Sequence, residues 1–181
     1  TSADSVKLAR FMRTCDAYAI PVVTMVNTEG FVPSAAAELA GSIRETALLA
    51  HAYAEATCPK VTVIAGSACG AVYIAMAGRG ANADVTLAWP CATVSPLAPA
   101  TGAMFAWNDK LAGSENPVED RKKLIEEYKN TECTPFKAAA GGFIEDIIQP
   151  SETRAKVIAN LDMLASKRVS RLPKKHANIQ L

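Results

Sequence analysis

Apolar positions alternate between helical and strand-like spacing along the first third of the chain. From Ser2 they recur every three or four residues, which predicts an amphipathic helix that ends before Pro21. Residues 22–26 are β-branched and apolar on both faces, as in a strand buried between layers. An alanine-rich helix is predicted over 36–57 and a second buried strand over 60–65. The core face of the first helix is predicted to carry Leu8, Phe11, Met12, Cys15 and Ala19.

The second strand runs into small residues at 66–71, which predict a loop before a helix over 72–77. A third strand is predicted at 85–89, followed by an irregular, proline-punctuated stretch at 90–99. Strands that alternate with helices are typical of parallel sheets. The predicted fold class is therefore α/β, in one domain over 1–181, because the chain is too short for two ordinary domains.

The second half of the chain is more polar. Residues 116–130 are dense in charge and predict a solvated helix, whereas the proline, alanines and glycines of 134–142 read as a break. A short apolar element at 143–148 follows. Ser151 is expected to cap a last helix, and a basic tail from Lys167 to His176 is expected to be a solvated terminus. The apolar seam of that last helix is predicted to consist of Val157, Leu161 and Leu164.

Charge and cysteine content restrict the function classes. Nineteen basic residues against eighteen acidic ones leave almost no net charge, so nothing favours nucleic acid or direct membrane binding. The chain shows no apolar stretch of bilayer length and no secretory signal pattern, and a cytoplasmic location is expected. Its five cysteines form no CxxC pair, which favours small buried thiols in a reducing compartment over disulfides or zinc. No metal site is predicted.

The small-residue segment from Gly66 to Val72 is the first candidate for chemistry. A turn between a buried strand and a helix presents backbone N–H groups and a helix N-terminus, which suits a developing oxyanion. Close packing alone explains the same glycines. The segment lacks the Gly-Lys-Ser/Thr ending of a phosphate loop and the G-x-G-x-x-G fingerprint, so nucleotide cofactors are disfavoured.

Side-chain nucleophiles find less support. Cys69 would need His51 or His176 as its base, and a small buried thiol is the simpler interpretation. Ser67 lies outside any G-x-S-x-G elbow. Glu29 is the carboxylate best placed for acid–base work, with a solvated turn residue as the alternative.

The order of motifs resembles one family along nearly the whole chain. The most specific block is 52–64, AYAEATCPKVTVI, and shorter matches precede and follow it. The family is that of the carboxyltransferase subunits of biotin-dependent acyl-CoA carboxylases, including propionyl-CoA and methylmalonyl-CoA enzymes and related decarboxylases. The shorter blocks are 9–11 (ARF), 20–24 (IPVVT), 30–33 (GFVP), 87–90 (LAWP), 142–146 (GFIED), 150–154 (PSETR) and 167–171 (KRVSR).

This resemblance implies a crotonase-like fold of ββα units from the ClpP/crotonase superfamily. A full subunit of the family has two related halves, one for the acyl-CoA and one for the carboxybiotin, and this chain resembles the second, C-terminal half. In the family further strands precede the helix that begins here at Ser2, so the domain is expected to be partial and inactive in isolation. Biotin would arrive on a separate carrier, and the coenzyme A thioester would be the substrate.

The resemblance also carries site residues to this sequence. In the family, backbone amides polarise the ureido oxygen of biotin, and the matching positions make the amides of Ala71 and Val72 the expected oxyanion donors. Gly70, Tyr73 and Ile74 are expected to bind biotin or substrate, with Ile74 lining the acyl pocket. Gly30 and Phe31 match a loop that forms another wall of the cleft.

Three functions remain open at this stage. The leading one is carboxyl transfer between carboxybiotin and an acyl-CoA such as propionyl-CoA, with a homo-oligomer, a biotin carrier protein and a biotin carboxylase as partners. The second is the alpha subunit of a biotin-dependent decarboxylase of the methylmalonyl-CoA type. The third is a non-catalytic assembly module, because Gly70-Ala71 stands where the family commonly has two glycines and the added methyl group narrows the approach.

Overall fold

The computed structural model describes residues 1–32, 34–76, 83–112 and 114–170. Short 3₁₀ turns occur at Asn108–Leu111 and Pro150–Glu152. The helices and strands, in chain order, are α1 (Ser2–Ala17), β1 (Val22–Thr28), α2 (Ala35–Leu39), α3 (Ser42–Glu55), β2 (Lys60–Cys69), α4 (Gly70–Met76), β3 (Val85–Ala88), β4 (Thr93–Ser95), α5 (Pro99–Trp107), α6 (Pro117–Thr131), α7 (Pro135–Ala140), β5 (Asp146–Ile147) and α8 (Thr153–Leu164).

Strand β2 is the centre of a parallel sheet. Its first half pairs with β1 on one side and with β3 on the other, and its second half pairs with β4. Strand β5 extends the sheet beyond β3, giving the order β1-β2-β3-β5. Each described pairing is parallel, which confirms the predicted α/β class.

Successive side chains of β2 face two different helical layers, as the period of a strand requires. Val61 and Val63 belong to a buried cluster that α8 covers, and the predicted seam of α8 packs against it. Ile64 and Ala68 point the other way and share a cluster with Tyr73 of α4. The same side of the sheet carries α1 and α3, whose buried residues include Ala9, Met12, Cys15, Leu49, Ala52 and Tyr53.

A buried lysine holds the end of α3 against the start of β2. The ammonium of Lys60 donates to the carbonyl oxygens of Tyr53, at 2.7 Å, and Ala56, at 3.0 Å. The last four carbonyls of a helix have no partner within it, so a cation there is favourable. Lys60 is fully buried, and these contacts compensate part of the cost of burying its charge.

Two carboxylates secure the same region. Asp16, near the end of α1, accepts hydrogen bonds from the backbone amides of Thr57, at 2.7 Å, and Cys58, at 2.9 Å. Asp84 accepts from the amide of Lys60 at 2.8 Å and pairs with the ammonium of Lys167 at 2.8 Å. The approach to β2 is therefore fixed by polar contacts on both sides.

Several sequence-based expectations for the first half were wrong. The helix predicted over 36–57 is two helices, because Gly41 takes a left-handed φ of +75° that ends α2. Strand β1 is open on one face, where Val23 is 41% and Met25 53% exposed. Leu8 and Phe11 of α1 are exposed rather than buried, since Ser5 and Ala9 complete its buried stripe with Met12 and Cys15.

The second half contains more regular structure than expected. Strand β4 lies within the stretch predicted to be irregular, whose other residues up to 98 are irregular as expected, and α5 begins at Pro99. Helix α7 forms within 134–142, where the hydroxyl of Thr134 accepts from the amide of Lys137 at 3.2 Å. Ser151 lies in a 3₁₀ turn and Glu152 is the N-cap of α8. Lys167 is held by Asp84 and so is not part of a solvated tail. The solvated helix is confirmed as α6, Cys91 is exposed, and the tail residues 171–176 lie outside the described part.

The role of Lys60 is testable by Lys60→Met, which keeps the length of the side chain and removes its donors. The carbonyls of Tyr53 and Ala56 would lose a partner in a buried site, and we expect the free energy of unfolding to fall by about 2 kcal/mol or more. Denaturant unfolding at fixed protein concentration measures this. The matched control is Lys122→Met on the exposed side of α6, for which a change below about 0.5 kcal/mol is expected. Equal effects of the two changes would contradict the assignment.

Asp16 should make stability depend on pH. Partial burial raises the pKa of its carboxyl, but hydrogen bonds from the amides of Thr57 and Cys58 outweigh burial, and the pKa lies below its usual range. The unfolded chain therefore binds more protons at acidic pH, so the stability that this carboxylate contributes at neutral pH is lost as the pH falls through the folded pKa. The stability gap between the parent and Asp16→Asn should shrink from pH 7 to pH 3. Denaturation midpoints across that range measure it, and a constant gap would argue against it.

Candidate active site

The site is built on the junction between β2 and α4. Strand β2 ends at Cys69 and helix α4 begins at the next residue, Gly70, which has a φ of +71°. A Cβ atom added at Gly70 would meet no atom of the described residues within 4 Å. The first N–H groups of a helix have no partner within it, and those of Ala71 and Val72 belong to this first turn of α4. The loop predicted at 66–71 is instead the end of a strand and the first turn of a helix.

The end of β1 is joined to β2 by a side chain. A bulge between Val26 and Thr28 displaces Asn27, whose Oδ1 accepts the backbone N–H of Ser67 at 3.0 Å. A Cβ atom at Gly66 would lie 2.7 Å from the Cγ of Asn27, so the close approach requires glycine. Asn27 lies directly after the strand predicted over 22–26, and apolar spacing gives no sign of this contact.

The loop that follows β1 lies against the same junction. The hydroxyl of Thr28 accepts the N–H of Gly30 at 3.2 Å, and Gly30 has a φ of +126°. The position that a Cβ atom would take at Gly30 is 4.0 Å from the carbonyl oxygen of Cys69. The ends of two neighbouring parallel strands, β1 and β2, therefore meet here.

Two clefts adjoin α4. The first, of about 270 Å³, brings Phe31 of the β1 loop next to Ala71. The second, of about 520 Å³, contains Tyr73 and Ile74. The other lining residues of the first cleft are Val32, Ser34, Ala37, Glu38, Ser42, Ile43 and Thr46, and those of the second are Val94, Ser95, Pro96, Glu132, Lys137, Ala138, Gly141 and Phe143.

Four of the predicted site residues line these clefts: Phe31 and Ala71 line the first, called the Ala71 cleft below, and Tyr73 and Ile74 line the second, called the Ile74 cleft. Gly30 and Gly70 are not among the lining residues of either cleft. The sequence interpretation missed most walls of the Ile74 cleft. Strand β4 has three residues, too few for a readable alternation, and the small helix α7 was taken for a break. The signal that could have identified α7 is Thr134 followed by Pro135, an N-cap with proline in the first turn.

The buried thiol and phenol near the junction have raised pKa values, which disfavours them as nucleophiles. Burial raises the pKa of the Cys69 thiol, and the neighbouring Cys133 and Glu29 raise it further, which keeps the sulfur protonated. Burial, followed by the charge of Glu145, also raises the pKa of Tyr73. Glu29 itself is exposed, in agreement with a solvated turn residue, and His51 Nε2 lies 3.1 Å from Glu55 Oε2 on α3.

Backbone groups are the remaining chemistry of the junction. Within the four described segments, no three side chains that could ligate a metal come together, and none of the described helices is both long and apolar enough to span a membrane. Amide N–H groups at a helix N-terminus are suited to stabilising negative charge on an oxygen atom. The junction offers backbone N–H groups at the start of α4, and residues of α4 line two clefts.

Comparison with known proteins gives this turn its context. The model of the carboxyl transferase domain matches residues 1–179. The chain belongs to the carboxyl transferase family. The predicted family is thereby confirmed, and with it the crotonase-like fold that the solved carboxyltransferase domains share.

Individual relatives are similar over nearly the whole chain. The mitochondrial propionyl-CoA carboxylase beta chain of Homo sapiens is 46% identical over 177 residues, which are 98% of this chain and 31% of that protein. The carboxyltransferase subunit of propionyl-CoA carboxylase from Haloferax mediterranei is 43% identical over 98% of this chain and 34% of its own. The chain therefore spans about a third of the length of these relatives.

A solved carboxyl transferase structure superposes closely. It is transcarboxylase 12S, described as a hexamer assembly with methylmalonyl-coenzyme A and methylmalonic acid bound. It matches with a TM-score of 0.91 and 39% identity, over 98% of this chain and 34% of that one.

The contact between Asn27 and Gly66 can be tested by a double-mutant cycle. Gly66→Ala places a methyl group against the Asn27 side chain, and we expect it to destabilise the chain by about 1–3 kcal/mol. In the Asn27→Ala background the nearest neighbours are gone, so the cost should fall by about 1 kcal/mol or more. Denaturant unfolding of the parent, both single variants and the double variant measures the coupling. Additive effects would show that the two residues do not meet.

Proposed function

We propose that this chain supplies the biotin side of a carboxyl transfer between carboxybiotin and an acyl-CoA such as propionyl-CoA. The observation that carries the proposal is the junction of β2 and α4, where a Cβ atom at Gly70 would meet none of the described atoms within 4 Å and where Ala71 and Ile74 of α4 line two clefts. The amides of Ala71 and Val72 would act as donors there. The carboxyl transferase relatives support the same reaction class. The chain would act as part of a longer subunit.

Biotin fits the junction by one structural criterion. A ureido oxygen needs donors that it can reach, and the absence of a side chain at Gly70 leaves the following amides accessible. When bound, the carboxylated cofactor supplies the carboxyl group that is transferred. Gly70 and Phe31 would bind it, with Phe31 and Ala71 as facing walls of the Ala71 cleft.

The chain's contribution to the reaction would be electrostatic. The amides of Ala71 and Val72 would donate hydrogen bonds to the ureido oxygen and stabilise the negative charge that develops there. Because the donors belong to the backbone of a helix that continues directly from a buried strand, they need no reorganisation during the reaction. This mechanism requires no nucleophile, which agrees with the protonated, buried Cys69.

Exposed apolar residues around the site support an interface with another subunit. Val32, Leu39 and Ile43 project from the rim of the Ala71 cleft or beside it, and such a patch is typical of an interface. We propose a homo-oligomer, supported by the hexamer of transcarboxylase 12S, with a biotin carrier protein and a biotin carboxylase as further partners. The free cysteines of the described residues suit the proposed cytoplasmic location.

Two other functions use the same observations differently. A decarboxylase of the methylmalonyl-CoA type would pass the carboxyl group from the acyl-CoA to biotin, with the same amides as donors. An assembly module would keep the oligomer contacts and have lost the chemistry, since the methyl group of Ala71 lines the first cleft. The reaction assay below separates the module from the enzymes.

The donor role of Ala71 is testable in the full-length protein by Ala71→Pro. Proline in the first turn of a helix removes an N–H without breaking a helical hydrogen bond, and kcat for transfer from a carboxylated carrier should fall by about 10²–10³-fold. The matched control is Ala71→Ser, which keeps the amide and adds one atom, and whose rate should stay near that of the parent.

Three results are informative in this assay. Equal losses in both variants would assign the effect to the side chain, and full activity of Ala71→Pro would exclude the amide as a donor. If the parent transfers no carboxyl group to acetyl-CoA, propionyl-CoA or longer thioesters in either direction, the assembly module becomes the better proposal.

A further inference from the structure

The pairing of β1 with β2 is irregular at Asn27. The pairs on either side of the irregularity are Val26 with Ile64 and Thr28 with Ala68. Residues 65–67 of β2 therefore lie opposite Asn27 alone. In a regular parallel ladder, evenly spaced backbone hydrogen bonds would hold such residues. Here the Oδ1 of Asn27 accepts the backbone N–H of Ser67 at 3.0 Å, so a side chain takes the place of a ladder bond.

Asn27 acts on the backbone of β2 and not on the interior of a cleft. The residue is exposed, and it is not among the lining residues of the Ala71 cleft or the Ile74 cleft. Its side chain lies against Gly66, where a Cβ atom would be 2.7 Å from the Cγ of Asn27. The contact is therefore with the strand that leads into α4.

The residue that begins α4, Gly70, has space around it. A Cβ atom there would meet none of the described atoms within 4 Å, and glycine has more conformational freedom than any other residue. The direction of the first turn of α4 therefore depends on the strand that precedes it. Residues 67–69 of that strand pair with β4 on one side, and Asn27 holds Ser67 on the other.

We propose that Asn27 is a positioning residue for the proposed carboxyl transfer. By holding the N–H of Ser67, it fixes the last residues of β2 and, through them, the direction of the Ala71 and Val72 amides. This inference rests on the proposed function, in which those amides are the donors. Because Asn27 lines neither cleft, its loss should weaken stabilisation of the transition state and leave substrate binding nearly unchanged.

The test measures carboxyl transfer by the full-length protein from its carboxylated carrier. In Asn27→Ala the donors lose a support, and a shift of a fraction of an ångström should lower kcat by about tenfold, with KM for the acyl-CoA within about twofold of the parent. Asn27→Asp keeps an acceptor oxygen at the same reach, so it should retain most of the parent rate.

The matched control is Asn160→Ala on α8. It also removes one hydrogen bond between an asparagine side chain and the backbone, because the Nδ2 of Asn160 donates to the carbonyl oxygen of Lys156 at 2.8 Å. Asn160 lines neither cleft, and kcat of this variant should stay within about twofold of the parent.

Hydrogen exchange, followed by mass spectrometry on the same full-length proteins, gives a second readout that needs no turnover. Amides exchange as fast as the local structure opens, so loss of the Ser67 hydrogen bond should expose the end of β2. A peptide that covers 66–72 should exchange faster in Asn27→Ala than in the parent. In Asn27→Asp and Asn160→Ala it should exchange at the parent rate.

A lower kcat at constant KM in Asn27→Ala, with faster exchange at 66–72 and recovery of both in Asn27→Asp, supports the inference. An unchanged kcat or unchanged exchange in Asn27→Ala overturns it. An equal fall of kcat in Asn160→Ala or in Asn27→Asp also overturns it, since the first indicates general destabilisation and the second a role for the Nδ2 donor. If the parent transfers no carboxyl group, faster exchange in Asn27→Ala alone supports the positioning of this turn, and only the proposed reaction fails.

Discussion

The structure depends on the way in which strand β2 is held at both of its ends. At its start, Lys60 is buried without the solvent that an ammonium normally requires, and it is tolerated because two carbonyl groups at the end of α3 need the donors that it offers. The contact holds the end of α3 against the start of β2, where Lys60 pairs with Val22 of β1. A lysine in the core is thus a positional constraint rather than an isolated source of stability.

The far end of β2 carries that constraint into the candidate site. Parallel neighbours pair along both sides of the strand, so its terminal residues have no freedom to shift without breaking a ladder. The bulge in β1 places the Asn27 side chain within hydrogen-bonding distance of the Ser67 amide. Gly66 allows this close approach, and Gly70 allows the sharp turn into α4. The backbone amides at the start of α4 are therefore positioned by strand pairing, which holds them more rigidly than a free loop would.

The sequence predicted the parts of this arrangement that depend on long periodic patterns. The central strand, the amphipathic first helix and the seam of α8 follow from apolar spacing, and the site residues followed from motif order. The residues that were missed depend on tertiary contacts. Lys60 stands at the polar start of the second predicted strand, and Asn27 follows the first predicted strand directly. Val23 and Met25 were predicted to be buried, because apolarity alone does not show which face of a sheet is covered. The short elements β4 and α7 carry too few residues for a periodicity.

A single short helix separates a partly polar cleft from an apolar one, and this has a consequence for how the site can change. Ala71 and Ile74 belong to the same helical turn, so the positions of the two clefts are set by one backbone. A change that shifts β2 moves both clefts together, and displacements on the order of 1 Å at a reacting centre reduce rates by about 10²-fold. The backbone geometry at the start of α4 therefore depends on contacts outside that helix, those of Asn27 and the two glycines at the end of β2 and that of Lys60 at its start.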